Sequence, residues 1–182
     1  MSDATAPHLI EEGEIYLLLA EPKDMKKASI QLVGEIIDGG YDAIVITTNQ
    51  PSPILRMLYE KAGIDPESVW YIDAITRYSL GKEPDSDPMT TYINHPSNLT
   101  DMGIAVTTIL KKMEGKKACI ILDSVSTMLI YLPTQNISKF MHFVTNRLRL
   151  AGVAGVFLAA EKGLDPDLLM QLSTFVDTVL EE

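Results

Sequence analysis

Ile15-Tyr16-Leu17-Leu18-Leu19-Ala20-Glu21-Pro22-Lys23-Asp24-Met25-Lys26-Lys27-Ala28-Ser29 joins an apolar run to a helical pattern through a short polar turn. Strand, loop and helix in that order make the frame of a phosphate-binding site, where backbone N–H groups and a helix N-terminus face the anion. The loop that does this reads G-x-x-x-x-G-K-[ST], because glycines let the chain turn tightly and approach the phosphate. Here Glu21 and Lys26 stand at the glycine positions and Lys27 at the phosphate-binding lysine. Ala28 replaces the Ser or Thr whose hydroxyl would hold magnesium, and Ser29 offers a hydroxyl one residue late. Glu21 also places negative charge where a phosphate would approach, and two like charges ~4 Å apart repel by about 4 kcal/mol at an intermediate effective dielectric. Asp24 adds to that repulsion, while Lys23, Lys26 and Lys27 offset part of it. The plainer reading of Glu21 to Asp24 is a connecting loop with Asp24 as helix N-cap.

The pattern continues on both sides of β-type runs. Ile30, Val33, Ile36 and Ile37 recur at spacings of three and four, so Met25 to Ile37 is predicted helical, and Asp38-Gly39-Gly40 ends it. Tyr41 to Thr48 is a second buried strand. Pro53 to Gly63 is a helix with Leu55, Leu58, Tyr59 and Ala62 inward, and Ser68 to Asp73 is a third strand. From Thr76 to Pro96 the periodicity fails, and Gly81, Pro84, Pro88 and Pro96 predict a long, mobile loop. Ser97 to Asp101 supplies capping groups for a helix with Met102, Val106, Ile109, Leu110 and Met113 on one face, stopped by Gly115. Ala118 to Leu122 is the clearest buried strand and runs into Asp123-Ser124. Asn136 to Ala151 is an amphipathic helix carrying Ile137, Phe140, Met141, Val144 and Leu148 inward. Val153 to Ala159 is a fifth strand, Asp165 to Leu172 a helix capped by Asp165, and Phe175 to Leu180 an edge strand. Strands alternating with helices predict an α/β fold: a mainly parallel, twisted sheet with helices on both faces.

The 182 residues suit one domain with a continuous core, preceded by an N-terminal extension over residues 1–14. With 46% hydrophobic and 22% charged residues, a disordered or fibrous chain is excluded. A net charge of -10 repels nucleic-acid phosphates and anionic membranes, so neither is an expected partner. Lys111-Lys112 with Lys116-Lys117, and Arg147 with Arg149, read as solvated helix ends. The single cysteine, Cys119, lies in an apolar run and reads as a small packing residue. Met1 to Glu14 carries no leader pattern and no apolar run reaches spanning length, so a cytoplasmic location is expected. His8, His95 and His142 are too scattered for a metal site. Met25, Met57, Met102, Met113, Met128, Met141 and Met170 read as core residues. Leu129-Ile130-Tyr131-Leu132-Pro133 needs cover, either beneath its own helix or from a second subunit.

In this order the elements resemble the KaiC-like branch of the RecA-fold P-loop ATPases, above all small archaeal KaiC-like proteins of unassigned role. The resemblance spans about Ile15 to the end and is carried by Lys117-Ala-Cys-Ile-Ile-Leu-Asp-Ser-Val-Ser-Thr-Met-Leu-Ile130, which looks like the family's Walker B strand. Ser97 to Ile104, Gly155 to Lys162 and Phe175 to Leu180 also look like segments of these proteins. The resemblance implies that Asp123, with Ser124, ends the strand that positions magnesium. In active relatives the second strand ends in a carboxylate pair that polarises the attacking water. Asn49 and Gln50 follow Thr47-Thr48 here, and an amide cannot accept that proton. The basic hairpin that ring-forming relatives offer a neighbouring phosphate would lie beyond Glu181-Glu182.

These departures predict a non-hydrolysing KaiC/RecA-like protein that acts by protein contact, as a homo-oligomer or as regulatory partner of an active ATPase. No catalytic residue, resident metal or cofactor is expected. The resemblance implies that Lys27, Ser29, Asp123 and Ser124 are what is left of a nucleotide site. The alternative is a protein that binds or slowly hydrolyses ATP with magnesium through a rebuilt loop, using Lys27 and Ser29 on the phosphates and Asp123 on the metal. A third reading, a phospho-acceptor receiver domain, would use Asp73 as acceptor, but Glu21 alone does not make its acidic cluster.

Overall fold

The computed structural model describes residues 10–182. The chain runs β1 (Ile15–Ala20), α1 (Met25–Asp38), β2 (Asp42–Thr47), α2 (Ser52–Lys61), β3 (Val69–Asp73), α3 (Thr76–Leu80) and β4 (Thr90–Tyr92). It continues through α4 (Leu99–Lys112), β5 (Ala118–Asp123), α5 (Val125–Met128), α6 (Thr134–Ala151), β6 (Ala154–Ala160), α7 (Pro166–Phe175) and β7 (Thr178–Glu181). All seven strands join one sheet in the order β4-β3-β2-β5-β6-β1-β7, and every pairing is parallel. β1, β5 and β6 are near-continuous apolar runs, as strands covered on both faces must be.

Alternation along the strands divides the core in two. Ile15, Leu17, Ile46, Ile120, Leu122 and Phe157 face α4, α6 and α7. Tyr16, Leu18, Val45, Tyr71, Ile121 and Val156 face α1 and α2. Connections after β1 and β2 therefore cross one face, and those after β5 and β6 cross the other. β2 lies beside β5, so their carboxyl ends flank a crevice where the chain direction switches, the usual place for a site in such sheets. The α6 expectation is met residue by residue: Ile137, Phe140, Met141, Val144 and Leu148 are all buried. The same holds for Met102, Val106, Ile109 and Leu110 on α4 and for Met113 at its C-cap, while the N-cap Asn98 accepts from the Asp101 N–H at 3.0 Å. Cys119 is fully buried, and burial raises its thiol pKa above the ordinary range.

Other expectations need correction. Thr76 to Pro96 carries α3 and β4, held by Asp87, which accepts from the Met89 N–H at 2.9 Å and pairs with Arg56. A three-residue polar edge strand leaves no periodic trace. The last strand starts at Thr178 and not Phe175, because α7 continues to Phe175, whose ring packs 5.0 Å from His142. α2 ends at Lys61, leaving Ala62 exposed outside it and Leu58 half-buried. Ile30 and Ile37 are half-buried, and Ala28, Ser29 and Leu32 complete the inward face of α1. Met57 and Met170 point outward. Leu132 is buried and Leu129 and Tyr131 pack on the same core, so Ile130 and Pro133 are the exposed members of that stretch. His8 and most of the expected extension lie outside the described residues. No helix among the described residues is long and apolar enough to cross a membrane.

Candidate functional site

Asp123 ends β5 beside Thr47 of β2, and the Thr48 N–H donates to the Asp123 carbonyl at 2.9 Å. Its carboxylate is 4% exposed and turns toward α1. There the Ser29 hydroxyl donates to Asp123 Oδ2 at 3.0 Å, and the Asn49 amide donates to Oδ1 at 3.4 Å. The helix thus brings to Asp123 the hydroxyl of Ser29, which shares the inward face of α1 with Ala28. Burial holds the Asp123 carboxyl above the ordinary carboxylate range, and the Ser29 and Asn49 hydrogen bonds pull it partly back.

Tyr59 of α2 is the member the sequence did not reveal. Burial, reinforced by the charge of Asp123, pushes its phenol far above the ordinary value. Its hydroxyl is sealed from solvent beside Ser29, whose side chain pulls the phenol partly back, and Gln50 Oε1 is sealed without a hydrogen-bond partner among the described residues. Only the packing of α2 across the strand ends creates this neighbourhood, and a tyrosine at an inward helix position carries no sign of it.

Ser124 serves another purpose. Its hydroxyl accepts from the Thr127 N–H at 3.2 Å and, with the reciprocal Thr127 contact, forms a capping box for α5. The Asp123-Ser124 peptide is cis. Lys27 is exposed, and the side-chain hydrogen bonds of Asp123 go to Ser29 and Asn49. The turn before it, Pro22 to Asp24, is a 3-10 turn in which the Asp24 N–H donates to the Glu21 carbonyl at 2.9 Å. Asp24 occupies the N-cap position, but its side chain makes no capping bond. Lys23 pairs with Glu21 at 3.3 Å on the surface. Of the four residues expected together, Ser29 and Asp123 meet, Ser124 adjoins them as a cap, and Lys27 stands apart.

The raised pKa of Asp123 fixes a sign. The folded chain holds that proton more tightly than the unfolded chain, so the contribution is full in acid below the unfolded value and is lost as pH rises through the raised one. Above the unfolded value, burying this carboxyl is a cost. Asp123→Asn, with the Asn49 amide turned to present its oxygen, is expected to raise the melting temperature at pH 7.5 by a few degrees, about 2–4 °C per kcal/mol in a chain of this size. The gain should shrink at pH 4, and melts followed by circular dichroism at both values check it; an equal loss at both contradicts the account.

Two cavities lie away from this cluster. One, of about 560 Å³, is an apolar groove between α4 and α6 lined by Ile104, Phe140 and Phe143. The other, of about 840 Å³, opens at the opposite, amino-terminal end of the central strands. No group of three or more His, Cys, Asp or Glu side chains suited to a metal occurs among the described residues.

Residues 15–182 match DUF7504, a family of unknown function. The chain belongs to that family. No curated protein matches this DUF7504 chain. Its fold is similar to that of an uncharacterised protein, PH0321 from Pyrococcus horikoshii, whose crystal structure is in complex with an unknown peptide. The TM-score is 0.74 at 13% identity, over 94% of this chain and 78% of that one. It is also similar to the KaiC-like protein PH0186 from Pyrococcus horikoshii OT3, with a TM-score of 0.64 at 15% identity over 93% and 72%. The DUF7504 chain therefore has the KaiC-like, RecA-type fold.

Proposed function

We propose that this protein keeps the KaiC-like fold as a binding scaffold and acts by protein contact, as an oligomer or as regulatory partner of an active ATPase, without turning over nucleotide. The observation that carries this reading is the β1-α1 turn. Pro22 has no N–H, the Asp24 N–H is spent within the turn, and no residue there has the positive φ of a phosphate-wrapping loop.

ATP with magnesium is the group this fold class implies, and the residues do not fit it. The one lysine at the expected position, Lys27, is exposed, the carboxylate of Asp123 is buried on Ser29 and Asn49, and no second carboxylate stands at Asn49 or Gln50 to orient a water. The peptide bound to the PH0321 protein supports a contact role by analogy of fold. A second reading rests on one contact: Ser29 Oγ and Asp123 Oδ2, 3.0 Å apart, are the hydroxyl and carboxylate a rebuilt magnesium site would use.

Calorimetric titration with ATP and magnesium separates the two. The expected result is no saturable heat up to millimolar ATP and no steady hydrolysis, with a light-scattering mass that ATP leaves unchanged. Saturable heat with hydrolysis, both abolished by Asp123→Ala, would establish the second reading instead.

A further inference from the structure

The cavity of about 840 Å³ lies between the C-terminal ends of α4 and α6, over the first residues of β5 and β6. Ala118 begins β5 and Asp123 ends it, so at ~3.3 Å per residue the cavity and the Asp123 cluster are about 17 Å apart along the strand. The charge of its walls is unusual for a chain of net charge -10. Lys111, Lys116, Lys117 and Arg147 all line it, against Glu12 and Glu114. None of the four cations enters an ion pair among the described residues, whose pairs lie at Lys23, Arg56, Arg77 and Arg149. Arg147 Nε is sealed from solvent with no acceptor among the described residues, a state that destabilises the fold unless something else completes it. Lys117 spends part of its field on the Tyr41 ring, 5.7 Å away.

Helix ends argue the other way, and magnitudes decide. α4 and α6 each bring about half a negative charge to the cavity, and Lys111 in the last turn of α4 and Arg149 in that of α6 stand at these ends. Four cations against two carboxylates leave two positive charges, and the helix ends remove roughly one. The local field therefore stays positive within the ~8–10 Å over which charges are felt at ordinary salt, while the distant acidic surface is screened. A long polyanion would meet that acidic surface, but a small anion would not. The volume falls in the ~300–1,000 Å³ range of small-molecule sites. Buried Met113 and Val153, with Leu150 85% exposed at the rim, give the cavity an apolar side.

We infer that this cavity binds a small phosphorylated molecule with an apolar body, its phosphate held by Lys111, Lys116 and Arg147 and its body lying against Leu150 and Val153. The inference is independent of the reading of the Asp123 cluster. Inorganic phosphate and phenyl phosphate, which carry nearly the same charge, are the probes, titrated in low salt with EDTA while backbone amide resonances are followed by NMR. Saturable shifts are expected at Gly115, Gly152 and Val153, with phenyl phosphate binding several-fold more tightly than phosphate. The double variant Lys111→Gln/Lys116→Gln, changed only at exposed positions, should weaken binding at least tenfold while its remaining spectrum stays unchanged. Lys27→Gln should bind as the parent does. Shifts centred on Ala28 and Ser29, equal affinity for the two probes, full binding by the double variant, or no saturation would each overturn the inference.

Discussion

Asp73→Ala is expected to lower the melting temperature by about 10 °C, given ~4 kcal/mol of lost stability and about 2–4 °C per kcal/mol in a chain of this size. The carboxylate is fully buried at the end of β3. Oδ1 accepts from the Ile75 N–H at 2.8 Å and the Thr76 N–H at 2.9 Å. Oδ2 accepts from the Ser52 N–H at 2.9 Å and from the Thr76 hydroxyl. One side chain thus starts both α2 and α3. Alanine leaves those donors buried without an acceptor, at ~1–3 kcal/mol for each that water cannot reach. Asp73→Asn keeps one acceptor oxygen and should fall between. Urea unfolding followed by circular dichroism checks the order, and a loss below ~1 kcal/mol for the alanine variant would refute it. The same bonds leave no oxygen free to accept a phosphoryl group, so acetyl phosphate is expected to add no mass.

Asp73 and Asp123 show how far the sequence could be read. Both end apolar strands, and in the sequence both look like candidate ligands. Asp73 had a local sign: Thr76, three residues on, places an N–H and a hydroxyl where an Asp-initiated turn closes. Asp123 had none, because its partners are remote. Ser29 and Asn49 lie 94 and 74 residues away in sequence and reach it only because β2 pairs with β5 and α1 crosses the same strand ends. Periodic elements such as α6 and β5 were legible since burial writes its period into the side chains. β4 was not, because three edge residues paired on one side bury too little to leave a pattern. The end of α7 was misplaced for a related reason: Phe175 is apolar in either a helix or a strand, and its contact with His142 decides between them.

The second large effect lies in the seam between sheet and helix. Gly155 of β6 pairs with Ile15 of β1 and Ile120 of β5, and its missing side chain lets α6 settle on the sheet. A Cβ there would come within 2.6 Å of Leu148 Cδ1 and 3.3 Å of Ile15 Cδ1. Leu148 is fully buried, so its methyl has little room to retreat. Gly155→Ala is therefore expected to cost ~1–3 kcal/mol by overpacking, and Gly155→Val more. Leu148→Ala alone should cost ~2–5 kcal/mol by leaving a cavity. In the double variant the new methyl enters the space the leucine vacates, so the two losses should fall short of their sum by roughly 1–2 kcal/mol, well above the ~0.5 kcal/mol scatter of independent sites. Urea denaturation of the four proteins measures that coupling. Losses that simply add would mean that Gly155 is tolerated for some reason other than the approach of α6, and the close seam would lose its physical explanation.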